Sequence, residues 1–224
     1  MHFRLFDPHI SRMQCPHAGR LTWLAGVAYG WHMPSPVGHA LGGAIVGVAL
    51  ARWGTWHVEG PLDTVAAACR SPLVAVAALA ACVPDVDFIW GRHNMETHSL
   101  GAALAAGLAV WAMTTGRGPR IAVAVTLAWV SHVAFDWLGS DDTPPLGVMA
   151  LWPLTSAFYF ADAFVFEAIS RRYWLPGFWR HNLWAVVTEI ATLVPVLIAL
   201  VMVRRPRDRR LAHDPAQCVT EESR

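Results

Sequence analysis

The sequence predicts an all-α fold, a polytopic transmembrane helical bundle with about four to six membrane segments. Three observations predict it. The chain of 224 residues is 55% hydrophobic and 15% charged, with a mean hydropathy of +0.38. A soluble domain carries about 25% charged residues, so this chain has little charge with which to cover itself in water. Its apolar residues come in continuous runs rather than in alternation, which favours helices and disfavours a β-barrel. Small residues recur inside those runs, at Gly42, Gly43, Gly47, Gly101, Ala102, Ala105 and Ala106, as expected where membrane helices approach each other tightly.

Residues 1–32 mix His, Arg, Pro and aromatics without a period and lack the plan of a signal peptide. They read as an N-terminal arm, and Met33, which opens Met33-Pro34-Ser35-Pro36-Val37-Gly38-His39, reads equally well as a natural start. Residues 33–203 form the membrane-embedded domain. Within it, 37–51 is rich in Gly and Ala with His39 as its polar residue. Residues 72–90 are apolar until Asp85, 99–115 are apolar, and 119–138 are apolar until Ser131. The run 157–169 is short and holds Asp162 and Glu167, so it reads as re-entrant or interfacial. Residues 183–203 form a long apolar run interrupted by Glu189 and Pro195. A span needs about 20 apolar residues; the shorter runs are completed by flanking Trp residues or by burial against neighbours. Residues 204–224 form a basic tail.

All 17 basic residues are Arg. The run Arg204-Arg205-Pro206-Arg207-Asp208-Arg209-Arg210 after an apolar segment marks a cytoplasmic membrane end. The rest of the chain shows no basic face, so nucleic acid is not an expected partner; membrane lipids are. The four cysteines form no Cys-x-x-Cys pair, which excludes a zinc knuckle and a redox motif. Cys69 and Cys82 lie in Ala/Val-rich stretches and read as small core residues.

Connectivity supplies the functional clue. With 37–51, 72–90, 99–115 and 119–138 as successive spans, His39 begins the first. Asp85, Asp87, His93 and His98 lie between the second and third, and His132 and Asp136 close the fourth. An up-down bundle brings these three places to one membrane face. His132 and Asp136 are four apart and share one helix face. Asp85 and Asp87 diverge on a regular helix, but Pro84 just before them cannot donate a backbone hydrogen bond, and a helix end there lets both turn inward. His93 and His98 suit a loop, with Thr97 or Ser99 capping the next helix.

Each residue alone has an ordinary reading. A lone His in an apolar helix is usually a hydrogen-bonded core residue, and Asp136 beside Trp137 reads as interfacial. Their joint convergence is what favours a shared polar site. An unpaired Asp at mid-membrane costs roughly 2.5–3.5 kcal/mol, so a crowd of ionisable groups at one depth needs a compensating partner. A divalent cation supplies one. Carboxylate and imidazole ligands suit zinc first, with manganese or iron as alternatives. The ligand pool is His39, Asp85, Asp87, His93, His98, His132 and Asp136, enough for two metals or for one metal and the groups that orient its ligands. Asp141, Asp142 and Asp162 are further orienting groups or plain loop residues. A proton or ion pathway uses the same residue types, so a transporter or a metal-binding structural module is the alternative class. The polar groups crowd one face and leave the other halves of the spans apolar, which argues against a through-pathway.

Pro84-Asp85-Val86-Asp87, then His93-Asn94-Met95-Glu96-Thr97-His98-Ser99, then Ser131-His132-Val133-Ala134-Phe135-Asp136 together resemble the YdjM-type family of bacterial inner-membrane metal-dependent hydrolases. The early His of that family resembles His39. Its later Gly and Pro-Leu-Thr elements resemble Gly139 or Gly147 and Pro153-Leu154-Thr155. The resemblance covers about residues 33–170. One departure stands out: where the family has Arg-Gly after the first loop His, this chain has Asn94-Met95, with Arg92 before His93 as the substitute base. The resemblance implies a membrane-bound hydrolase with an unassigned substrate. On the residues themselves, His93 reads as a ligand or a general acid/base, and His93 and Asp136 are the catalytic candidates.

Arg52, Arg70, Arg117 and Arg120 lie at the ends of the spans opposite the cluster, so the positive-inside rule turns the cluster away from the cytoplasm. With 157–169 not spanning, the basic tail lands on the cytoplasmic side, and Arg171, Arg172 and Arg180 lie outside. A site opening at that leaflet suits a lipid or lipid-linked ester or phosphoester. No Gly-x-Ser-x-Gly elbow, P-loop or His-Glu-x-x-His occurs.

Overall fold

The computed structural model describes residues 4–5, 31–32, 34–52, 60–91, 93–116, 118–141, 146–161 and 164–204. The N-terminal arm (apart from two short strands), Arg92, Arg117, Asp142, Asp162 and the basic tail beyond Arg204 lie outside the described residues.

The fold is mostly helical. In chain order the helices are α1 (Pro36–Leu50), α2 (Pro61–Arg70), α3 (Pro72–Ala80), a 3-10 helix (Pro84–Trp90), α4 (Leu100–Met113), α5 (Pro119–Trp137) and α6 (Phe178–Arg204). Two antiparallel two-residue pairs complete it: β1 (Arg4–Leu5) with β3 (Tyr159–Phe160), and β2 (Trp31–His32) with β4 (Ile169–Ser170).

Local chemistry sets these boundaries. Ser35 caps α1, its hydroxyl accepting from the Gly38 N–H at 3.2 Å, and Pro36 opens the helix. Ser99 caps α4 in the same way, accepting from the Ala102 N–H at 3.0 Å. Pro72 and Pro119 open α3 and α5. α3 ends after nine residues because Pro84 follows its turn, and the chain continues as the tighter 3-10 helix.

Helix α1 is the hub, packed against α3, α5 and α6, while α4 packs on α5. Glycines make that possible. A Cβ on Gly43 would collide with the Ala77 carbonyl of α3, and one on Gly42 would lie 2.6 Å from the Phe135 ring of α5. Close approach of backbones is how helices associate where no hydrophobic driving force separates them from lipid.

Among the described residues, two elements are long and apolar enough to cross a membrane: Pro72–Ile89, made of α3 and the 3-10 helix, and Phe178–Arg204. The expectation of four to six such segments is met only in this coarser form. α1 and α4 are apolar but short, at 15 and 14 residues, or about 21–23 Å at 1.5 Å per residue. α5 has 19 residues, but Arg120, Ser131, His132 and Asp136 dilute its hydropathy. The described residues of the run 157–169 form no helix; they include β3 and lead into β4. Cys69 is exposed and Cys82 half-buried, so neither is the core residue its surroundings suggested; Cys69 falls in the last turn of the short, surface-lying α2.

α6 runs parallel to α1. Its Glu189 meets the start of α1 at Ser35, and its Arg204 donates to the Ala51 carbonyl at the other end of α1, at 3.2 Å. At the Ala51 end lies an apolar core of Val48, Ala51, Ala68, Val74 and Val201.

Candidate metal centre

Three helix ends and one loop meet at the end of the bundle that holds Ser35. His39 lies one turn into α1. Asp85 and Asp87 lie on the 3-10 helix, His93 and His98 on the loop before α4, and His132 and Asp136 on the last turns of α5. His39, Asp87, His98, His132 and Asp136 are buried.

Asp136 stands at the centre. One of its oxygens is 3.2 Å from His39 Nε2; the other is 2.9 Å from His132 Nε2 and 3.5 Å from His98 Nε2. Asp85 approaches from the side, 3.6 Å from His98 Nε2 and 3.7 Å from His132 Nε2. The imidazoles form a continuous row. The His39 and His132 rings stack at 3.9 Å, the His98 and His132 centroids are 4.8 Å apart, and those of His93 and His98 are 4.6 Å apart.

The outward nitrogens are held from behind. His132 Nδ1 is 2.7 Å from the Ala81 carbonyl, in the turn that ends α3. A carbonyl only accepts, so Nδ1 carries the proton and a neutral His132 presents a bare lone pair at Nε2. Asp87 does the same for two rings: its oxygens lie 2.7 Å from His93 Nδ1 and 3.0 Å from His98 Nδ1, and Thr97 donates to it as well. Trp129 of α5 pins this loop by donating to the Thr97 carbonyl at 2.7 Å. Asp87 is therefore set behind the cluster, as carboxylates behind metal-bound histidines are.

The inward atoms have no such partners. His39 Nε2, His98 Nε2, His132 Nε2 and both Asp136 oxygens are buried without a hydrogen bond among the described residues. Buried acceptors facing one another repel unless a cation or proton lies between them. Two sets place their donor atoms within 4.8 Å of one another: His39, His132 and Asp136, and Asp85, His93 and His98. This buried His/Asp group can hold a metal ion, and its donors are those of zinc, manganese or iron sites.

The loop histidines differ in charge preference. Burial pulls the His98 pKa down, but the carboxylates of Asp85, Asp87 and Asp136 around it outweigh that, raising it to about 9. For His93 burial wins over the Asp87 hydrogen bond, lowering the pKa to about 4. His93 is therefore a neutral base at neutral pH.

The model of the YdjM inner membrane protein family matches residues 33–209. The chain belongs to the YdjM family of inner membrane proteins. No curated protein and no solved structure matches it. The YdjM match contains every residue of the cluster, and the two long apolar helices fit the family's membrane location.

Three groups near the site were not singled out from the sequence. Glu189 of α6 accepts from the Ser35 N–H at 2.6 Å and from the Ser35 hydroxyl, beside the turn that carries His39. Its signal was present, an acid inside an apolar run, but its partner is 154 residues away. Arg171 lies over Phe88, and the Ala81 carbonyl aims His132; a backbone acceptor leaves no mark in a sequence. Asp141 instead accepts from the Gly147 N–H at 2.8 Å within its own loop.

Proposed function

We propose that this protein is a membrane-bound metal-dependent hydrolase acting on a lipid or lipid-linked ester or phosphoester at the membrane surface. The observation that carries the reading is the set of inward, partnerless donors: His39 Nε2, His98 Nε2, His132 Nε2 and the Asp136 carboxylate. With Asp85 they would hold the ion, zinc first and manganese or iron next. When bound, a divalent metal supplies Lewis acidity, making a water acidic near neutral pH and polarising the bond to be cleaved.

The chain's own residues do the rest. Asp136 faces three imidazoles and fixes their separation. Asp87 holds the His98 ring, and with it the direction in which Nε2 points. His93 is oriented by Asp87 through Nδ1 and keeps a partnerless Nε2; as a neutral base it takes the proton from the attacking water and returns it to the leaving group.

The same reading places the cluster on the extracytoplasmic side. Arg52, Arg70, Arg120 and Arg204 lie at the opposite end of the bundle, which the positive-inside rule makes cytoplasmic. α1, α4 and α5 then complete the bundle across the membrane beside the two long segments. The buried apolar residues Ala77, Ala80, Ala124, Val125 and Ala128, packed between α3 and α5 beneath the cluster, support a surface site over a transport pathway.

The test is hydrolysis by metal-loaded protein in detergent, using carboxylic and phosphate esters of a chromogenic phenol. Wild type should turn over at least one class, and His93→Ala should lose 10²–10⁴-fold in kcat while retaining its metal. Hydrolysis by His93→Ala at the wild-type rate would remove the proton-transfer role.

A further inference from the structure

Two members of the cluster reach the surface. The Asp85 and His93 side chains are 19% and 13% exposed, whereas those of His39, Asp87, His98, His132 and Asp136 are fully buried. The site therefore opens on the side of the 3-10 helix. The ring of Phe88 lies there, next in sequence to Asp87. The His93 ring lies against it with centroids 3.6 Å apart, and the Arg171 guanidinium carbon is 3.5 Å from the same ring's centroid.

Arg171 is held at this mouth by its backbone. Ser170 pairs with Trp31 in the β2–β4 ladder. Its N–H donates to Asn182 Oδ1 at 2.7 Å, and its carbonyl accepts from Asn182 Nδ2 at 2.8 Å, tying β4 to α6. Stacking on Phe88 occupies the guanidinium's face and leaves its N–H edge available. No carboxylate among the described residues lies within ion-pair distance of it. It still feels Asp85 and Asp87: burial lowers its pKa and their charges oppose that.

Charge decides what such an arginine is for. Asp85, Asp87 and Asp136 would leave a mouth with one divalent ion still net negative, and an anionic substrate would be repelled. Arg171 brings that balance to neutrality and offers a planar fork that matches two oxygens of a phosphoryl group. We propose that Arg171 is the anion-recognition residue of this site and that the substrate it selects is a phosphoester. This rests on the metal-dependent hydrolase reading and narrows its substrate to one of the two ester classes. A neutral carboxylic ester gives the guanidinium no anion to bind.

The test uses the full chain in detergent, metal-loaded, as wild type, Arg171→Gln and Arg171→Lys. Inorganic phosphate and micelles doped with phosphatidate serve as calorimetric probes, and a phosphate ester and an acetate ester of one phenol as substrates. Arg171→Gln should keep its metal content and melting temperature, weaken binding of both probes at least tenfold, and raise KM for the phosphate ester with little change in kcat. Arg171→Lys should recover part of the affinity, since it keeps the charge and loses the fork. Turnover of the acetate ester should be the same in all three proteins. Tighter wild-type binding of phosphatidate than of phosphate would assign the phosphoryl group to a lipid, and the reverse to a soluble ester. Undiminished phosphate binding by Arg171→Gln with full metal content would overturn the role of Arg171 and leave the hydrolase reading standing. Wild type without metal would overturn both.

Discussion

His132 Nε2 lies 2.9 Å from an Asp136 oxygen while the other nitrogen of the same ring is 2.7 Å from the Ala81 carbonyl. The two side chains are one helical turn apart on α5, so the helix holds them face to face. The carbonyl that aims the ring belongs to a different element, the turn ending α3. The cluster's geometry is thus a consequence of α3–α5 packing, and it points lone pairs at a common centre instead of satisfying them.

Asp87 orients two rings at once, through separate oxygens. Asparagine keeps only one acceptor oxygen, so Asp87→Asn should let either His93 or His98 turn. Metal affinity, measured by competition with a chromogenic chelator, should fall about 10–100-fold with the fold intact. Unchanged affinity would mean that Asp87 does not stand behind a ligand.

The hub helix should be intolerant of added bulk where it meets α3. Gly43→Ala places a methyl against the Ala77 carbonyl, and overpacking of this kind costs about 1–3 kcal/mol. Thermal unfolding in detergent should show it. Leu79→Ala, on a residue of α3 that is 70% exposed, should change stability by about 0.5 kcal/mol or less.

Much of this site was legible from connectivity. His39, Asp85, Asp87, His93, His98, His132 and Asp136 were grouped from where they fall relative to apolar runs, and the structure brings all seven into one cluster at one end of the bundle. Ser99 caps α4 as its position suggested, while Thr97, the other choice, turns to Asp87. What stayed hidden depends on partners distant in sequence. Ser35 and Glu189 meet across 154 positions, and nothing local to either announces it. Only two of the four to six expected spans are long and apolar enough among the described residues, and α5 illustrates why: it carries the polar residues that build the site, and they lower the hydropathy by which a span is recognised. The described residues of the run 157–169 are apolar without forming a helix, because Tyr159–Phe160 pair with β1 and Ile169 pairs with β2.

Stability of the metal-free protein should depend on pH through the two loop histidines. His98 is raised from 6.5 to about 9, so its contribution is complete below pH 6.5 and is lost as pH rises through about 9. His93 is lowered from 6.5 to about 4, so below pH 6.5 the unfolded chain binds a proton that the folded one refuses, and stability falls as pH drops toward 4. Melting temperature against pH should peak near 6.5. His98→Gln should flatten the alkaline limb; a wild-type curve that keeps rising to pH 9 would contradict this balance.

The central claim is that the buried cluster holds a metal ion. Its most direct test is elemental mass spectrometry of detergent-purified wild type and of a His132→Ala/Asp136→Ala double variant, each shown to be folded by circular dichroism. The account predicts near-stoichiometric zinc, manganese or iron in wild type and its loss from the folded double variant. Wild type that holds no metal after supplementation, or a double variant that holds as much as wild type, would contradict it.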